Sequence, residues 1–125
     1  MKEKIMKKKT LVLGASLNPG RYSNIAIKRL TSNQQPTVAV GLRKGEVTGI
    51  NITNEEEDFD DIHTITLYLN PQRQKQYYDY ILSLEPKRVI FNPGTENPEL
   101  FALLRKKNIE IEIACTLVML ATNQY

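Results

Sequence analysis

Apolar residues in this chain come in short runs, and polar stretches with turn chemistry separate them at regular intervals. Thr10–Leu13 is such a run, bounded by lysines on one side and Gly14 on the other, and it predicts a buried strand. Ile25, Ala26, Ile27 and Leu30 then share one helical face, so the spacing predicts a helix over Ile25–Leu30 with Ser23 or Asn24 as its cap. Thr37–Val40 reads as the second strand, Gly41–Gly49 as a loop, and Ile50–Ile52 as a short edge strand. The acidic stretch Glu55–Asp61 precedes a β-branched strand over Thr64–Leu69. Asn70 caps and Pro71 opens the next helix, which runs to about Leu84 and buries Tyr77, Tyr80, Ile81 and Leu84 before Glu85-Pro86 stops it. Arg88–Phe91 is the fourth strand and Asn92–Thr95 a turn. Asn97-Pro98-Glu99 starts a helix to Lys106, and Ile109–Ala114 is the fifth strand. Cys115-Thr116 leads into a short apolar C-terminal segment.

Strands alternating with helices imply βαβ units, right-handed crossovers and a parallel sheet. The expectation is an α/β, Rossmann-like three-layer fold on a five-stranded parallel sheet, with room for a short extra edge strand. Residues 9–125 would form a single domain behind a basic N-terminal tail, residues 1–8. In such sheets the ligand sits outside the carboxyl ends of the strands, at the switch point of the strand order. The segments expected to converge there are Gly14–Asn24, Gly41–Gly45, Asn70-Pro71, Asn92–Thr95 and Cys115-Thr116.

Charge changes this picture little. Of the 17 basic residues, Lys2, Lys4, Lys7, Lys8 and Lys9 crowd the first nine positions against Glu3, so the formal net charge of +3 is a property of the tail. A basic tail on a near-neutral body lacks the basic face that nucleic acid requires, so no nucleic-acid partner is expected. No apolar run approaches the roughly 18 residues of a membrane span, and the chain reads as soluble and cytoplasmic. The single cysteine, Cys115, rules out an internal disulfide framework, and no metal-ligand spacing occurs. His63 is the only histidine and precedes a strand, remote from the expected site.

The candidate chemistry lies in Gly14-Ala15-Ser16-Leu17-Asn18-Pro19-Gly20-Arg21-Tyr22-Ser23-Asn24. A buried strand, a small-residue turn and a helix start place free backbone N–H groups together, a geometry suited to phosphate or pyrophosphate. Asn18 and Arg21 could add direct bonds to phosphate oxygens. A nicotinamide or flavin dinucleotide site has Gly-x-Gly-x-x-Gly here and an acid at the end of the second strand. This chain has glycine only at the first and seventh positions of the turn, and Gly41-Leu42-Arg43-Lys44-Gly45 after the second strand. Two cations attract a phosphorylated ribose, which leaves NADP or coenzyme A, and the missing glycines count against NADP.

At these residues the chain resembles the small stand-alone CoA-binding proteins, which correspond to the N-terminal domain of the succinyl-CoA synthetase α subunit and of ADP-forming acyl-CoA synthetases. The resemblance runs from about Lys8 to Leu120. Gly14–Arg21 with Ser23-Asn24 is similar to the family's Gly-Ala-Ser-x-x-Pro-x-Arg turn. Val40–Gly45 stands in place of its Val-Asn-Pro-Arg/Lys-x-Gly segment, with Gly41-Leu42 where Asn-Pro is usual. Tyr68-Leu69-Asn70-Pro71 lies where the family has an aromatic or valine followed by basic or proline residues. Asn92-Pro93-Gly94 sits where Gln-x-Gly is common, and Cys115 matches a frequent cysteine, with Thr116 in place of proline. The resemblance implies that Gly14, Ala15, Ser16, Asn18, Arg21, Ser23 and Asn24 cradle the CoA pyrophosphate. Arg43 or Lys44 would meet the 3′-phosphate, with Leu42 also in the site, and Asn70, Pro93 and Gly94 would complete it, with the pantetheine arm near Asn92–Thr95 and Cys115.

No catalytic constellation accompanies this turn, so the expected activity is non-catalytic binding of coenzyme A or acyl-CoA. Two readings compete with it: an NADP- or other nucleotide-dependent enzyme with a degenerate fingerprint, and a protein-interaction module without a nucleotide. A homodimer stays open, with Tyr78 as a candidate interface residue, and nothing in the chain names another protein partner.

Overall fold

A computed structural model describes residues 6–125, so Lys2, Glu3 and Lys4 of the basic tail lie outside the described residues. The elements in chain order are β1 (Thr10–Ala15), α1 (Tyr22–Ser32), β2 (Thr37–Gly41), β3 (Gly45–Val47), β4 (Ile50–Thr53) and β5 (Thr64–Leu67). There follow α2 (Pro71–Gln74), a 3-10 turn (Lys75–Tyr77), α3 (Tyr78–Ser83), β6 (Arg88–Phe91), α4 (Pro98–Lys106), β7 (Glu110–Ile113) and α5 (Thr116–Ala121).

The expected five-stranded parallel sheet is not what forms. The sheet has seven strands in the order β3-β4-β2-β1-β5-β6-β7 and is mixed, because β3 pairs antiparallel with β4. Of the two extra strands, β4 is the short edge strand expected over Ile50–Ile52, and β3 comes from the segment expected to be a loop. Val47 pairs with Ile50 across Thr48 and Gly49, whose φ angles of 47° and 82° are both positive, as a type I′ hairpin turn requires. Thr-Gly lacks the usual Asn or Asp in such a turn, and β3 spans three residues, so the local signal is weak. The hairpin forms because β4 docks alongside β2, Ala39 opposite Ile52, and buries Ile52 and Val47.

Two apolar clusters sandwich the sheet. Leu11 and Leu13 of β1 face a core with Ile65, Leu67, Ile81, Phe91, Leu100 and Leu104, under α3 and α4. Val12 faces the other cluster, with Ile27 and Leu30 of α1 and Leu120 of α5. Strict alternation would put Ala15 with Leu13. Instead the register slips between Leu13 and Ala15, with Gly14 at φ 96°, and Ala15 joins the Val12 face. This bulge turns the chain out of the sheet toward α1.

Two local expectations are corrected, and a third segment is held more firmly than its composition implies. Helix α1 begins at Tyr22 with Arg21 in the cap position and no side-chain cap, so Ser23 and Asn24 sit in its first turn and are buried. The helix expected from Pro71 to Leu84 is interrupted by the 3-10 turn at Lys75–Tyr77. The acidic segment before β5 is tied down as well as solvated: Phe59 packs on the core and Tyr80 Oη donates to the Glu57 carbonyl at 2.6 Å. Elsewhere the expected caps form. Asn70 Oδ1 accepts from Arg73 N–H at 3.0 Å, and Asn97 Oδ1 accepts from Glu99 and Leu100 N–H.

Candidate functional site

The chain leaves β1 toward β2, β4 and β3 on one side, and toward β5, β6 and β7 on the other, so the strand order reverses between β1 and β5. A cleft of about 590 Å³ opens at the carboxyl ends of the strands across this switch point. Its floor follows from tight backbone packing. A Cβ at Gly41 would stand 2.1 Å from the Ala15 carbonyl oxygen, and one at Gly14 would stand 2.9 Å from Leu69 Cγ and 3.0 Å from the Tyr68 carbonyl carbon. These two glycines therefore let β1, β2 and the end of β5 close on one another. The sequence suggested that Gly14 serves approach to phosphate; the contact that demands glycine there is with Leu69 and Tyr68. At Gly45 the same holds for Leu17, whose Cδ2 would be 2.4 Å from a Cβ, so Leu17 docks the β1–α1 turn on the β2–β3 connection.

Of the residues expected from sequence, Gly14, Ala15, Ser16, Arg21, Ser23, Leu42, Arg43, Asn70, Pro93 and Gly94 line the cleft together. Asn18, Asn24 and Lys44 do not line it. Asn18 shapes the turn from within: its Oδ1 accepts from Gly20 N–H at 2.9 Å and its carbonyl from Arg21 N–H at 3.0 Å. Asn24 Nδ2 donates to the Ser16 carbonyl at 2.9 Å, which ties the first turn of α1 to the loop before it. The backbone N–H groups of Tyr22 and Ser23, at the start of the 11-residue α1, meet no acceptor among the described residues. A phosphate group fits such donors.

Asn92 is placed differently from expectation. Its side chain is buried, donates to Thr66 Oγ1 at 2.7 Å and the Leu67 carbonyl at 2.8 Å, and accepts from Thr116 N–H at 2.8 Å. It joins the ends of β5 and β6 to the start of α5, and both of its amide hydrogens are used within the fold. Cys115 flanks α5, half-buried and outside the cleft lining. His63 stands at the amino end of the sheet, where its carbonyl accepts from Lys87 and Arg88 N–H.

Three arginines, Arg21, Arg43 and Arg73, line the cleft, and among the described residues no aspartate or glutamate does. Arg73, Gln76 and Tyr77 were not anticipated as site residues, because they belong to a helix assigned to core packing. Their spacing of three and four residues puts them on one face of a helical segment, and the tertiary fold turns that face to the cleft. Burial, with the nearby Glu56 charge, raises the Tyr77 phenol above its ordinary pKa. Burial pushes the Tyr68 phenol up to about 12, and its hydroxyl is buried with no hydrogen-bond partner among the described residues. Both phenols stay protonated at neutral pH. Among the described residues no cluster of His, Cys, Asp and Glu is arranged to hold a metal ion, and no helix is long and apolar enough to cross a membrane.

In open α/β sheets, nucleotides bind at switch points of this kind, beside the N-terminus of the first helix. The chain belongs to the CoA binding domain family, whose model matches residues 8–121. No curated protein matches it. Among solved structures it is similar to an uncharacterized protein at 50% identity and TM-score 0.94, over 97% of this chain and 100% of the other. A conserved hypothetical protein from Pyrococcus furiosus matches at 29% identity and TM-score 0.73, over 86% and 92% of the two chains. A hypothetical protein from Pyrococcus horikoshii matches at 26% identity and TM-score 0.80, over 90% and 80%.

Proposed function

We propose that this protein binds coenzyme A or an acyl-CoA without transforming it. The observation that carries the reading is the cleft lining: arginines, no carboxylates, and the β1–α1 turn beside the free N–H groups of Tyr22 and Ser23. CoA brings a pyrophosphate and a ribose 3′-phosphate, two anionic groups for one site. The pyrophosphate lies on Ser16, Arg21 and the start of α1, where N–H donors and the helix dipole favour it. The 3′-phosphate lies toward Arg43, at the end of β2, with Lys44 contributing long-range attraction from outside the lining. When bound, CoA presents a thiol or thioester that partner enzymes use; this chain's residues hold and orient it.

Calorimetric titration of ligand-free protein, its empty state first verified by mass spectrometry, tests this with CoA, dephospho-CoA, NADP and NAD. CoA is expected to bind best. Arg43→Glu combined with Lys44→Glu is expected to weaken CoA by roughly tenfold or more and dephospho-CoA far less, because the change acts on the 3′-phosphate. Equal losses for the two ligands would remove Arg43 and Lys44 from that role. Tighter binding of NADP would favour the nucleotide-dependent enzyme, and binding of none would leave the scaffold to protein contacts.

A further inference from the structure

The CoA pose proposed above places phosphates on two of the three cleft arginines and leaves Arg73 without one. Neighbouring strands lie about 4.8 Å apart. Arg43 follows β2, the phosphate turn follows β1, and Arg73 follows β5, so the phosphate turn lies between the two outer arginines. A CoA with its 3′-phosphate toward Arg43 and its pyrophosphate on the β1–α1 turn directs its thioester end over β5 and β6. Arg73, Gln76 and Tyr77 line the cleft on that side, near Pro93, Gly94 and Thr95.

This donor face is held rigidly from beneath. Gln74, fully buried in the middle of the segment, donates through Nε2 to the Leu69 carbonyl at 2.8 Å and to the Thr95 carbonyl at 2.8 Å. Its Oε1 accepts from Asn97 Nδ2 at 2.9 Å. One side chain therefore locks α2 to the β5–α2 turn and to the β6–α4 turn together. Buried amide anchoring of this kind fixes the backbone that carries Arg73 and Gln76, so less ordering is needed when an anion arrives. A guanidinium, an amide and a phenol on one fixed face match a carboxylate, which accepts two hydrogen bonds from an arginine fork and further ones from neutral donors.

We infer that the site selects acyl-CoA thioesters whose acyl chain ends in a carboxylate, with Arg73 as the residue that recognises it and Gln76 and Tyr77 beside it. This rests on the CoA reading above. The test is calorimetric titration of the full chain with CoA and with two matched pairs, malonyl-CoA against propionyl-CoA and glutaryl-CoA against pentanoyl-CoA. In at least one pair the dicarboxylic thioester is expected to bind roughly tenfold more tightly. Arg73→Gln is expected to abolish that gap, costing the dicarboxylic thioester roughly tenfold more affinity than it costs CoA or the matched monocarboxylic thioester. Arg73 is exposed, so the variant is expected to fold, and an unchanged melting temperature verifies it. No preference in either pair overturns the inference. So does an equal loss for all five ligands in Arg73→Gln, which would assign Arg73 to the phosphates of CoA. A protein that binds no CoA at all removes the underlying reading first, a result distinct from CoA binding without acyl preference.

Discussion

At the amino end of the sheet the polar side chains bond to one another, with Arg88 Nη2 left without a partner among the described residues, whereas at the carboxyl end several are left for something else. Arg88 is buried at the amino end, where its Nε donates to Thr64 Oγ1 at 2.7 Å and its guanidinium lies 4.4 Å from the Tyr125 ring centroid. Tyr125 Oη bonds Thr10 Oγ1, and Lys8 Nζ donates to the Tyr125 carbonyl. His63 Nδ1 shares a hydrogen bond with Thr64 Oγ1 at 2.8 Å. The arginines of the carboxyl end instead line an open cleft beside unpaired N–H groups. Similar residue types thus serve as structure at one end and as a candidate binding surface at the other. Cation content alone does not mark a site; cations without internal partners around a concave surface do.

The comparison can be broken most severely at Asn92, the residue that makes the carboxyl end structural on its β6 side. Asn92→Leu would strand the Thr116 N–H and take a donor from the Leu67 carbonyl and from the Thr66 hydroxyl, which keeps its bond to Thr116 Oγ1. A loss of about 4 kcal/mol is expected in urea unfolding. A loss under about 1 kcal/mol would show that these groups find other partners.

Glycine substitutions sharpen it next, because they separate a packed floor from an open rim. Gly41→Ala drives a Cβ against the Ala15 carbonyl and is expected to cost about 3 kcal/mol. Gly94 meets nothing within 4 Å but has φ 90°, so Gly94→Ala is expected to cost only about 1 kcal/mol of backbone strain. Thermal melts of the two variants should rank in that order, and the reverse order would contradict the packing of β1 on β2.

The smallest expected effect lies at the amino end. Burial first, then the charges of Arg88, Lys8 and Lys87, hold the His63 pKa below its ordinary 6.5. The unfolded chain therefore takes up the proton before the folded one does as the pH falls. The stability contributed by neutral His63 is present above pH 6.5 and declines as the pH drops from there through the folded pKa. His63→Gln should flatten the stability profile across this window in urea titrations at several pH values. The half-exposed ring makes the change small.

Much of the fold was legible locally. β1, β2, β5 and β6 announce themselves as β-branched or apolar runs. The Asn70-Pro71 and Asn97-Pro98 pairs mark helix starts that the structure shows. Of the β3–β4 hairpin only β4 was legible, as the short edge strand; β3 was not, since its Thr48-Gly49 turn and three-residue strand take their stability from the pairing of β4 with β2. The interrupted helix after Pro71 was missed for a related reason: its periodicity is helical throughout, and nothing local marks the 3-10 turn. The cleft itself was half legible. The β1–α1 turn and Arg43 carry chemistry in their residue types, whereas Arg73 and Gln76 are unremarkable on a helix until the fold turns them toward the same opening. Conversely, Asn18 and Asn92 have ligand-binding residue types, yet the structure uses their side chains in its own hydrogen bonds.

By itself the sequence determined the alternation of strands and helices, the capped starts of α2 and α4, and a strand-to-helix turn suited to phosphate. Each depends on contacts within a few residues of chain. Only the tertiary structure decided the mixed seven-stranded sheet, the use of Gly14 and Gly41 for backbone packing, and which polar side chains remain free. Those depend on what residues distant in sequence bring alongside, and a hydrogen-bonding group is available to a ligand only if no such neighbour has already bonded it.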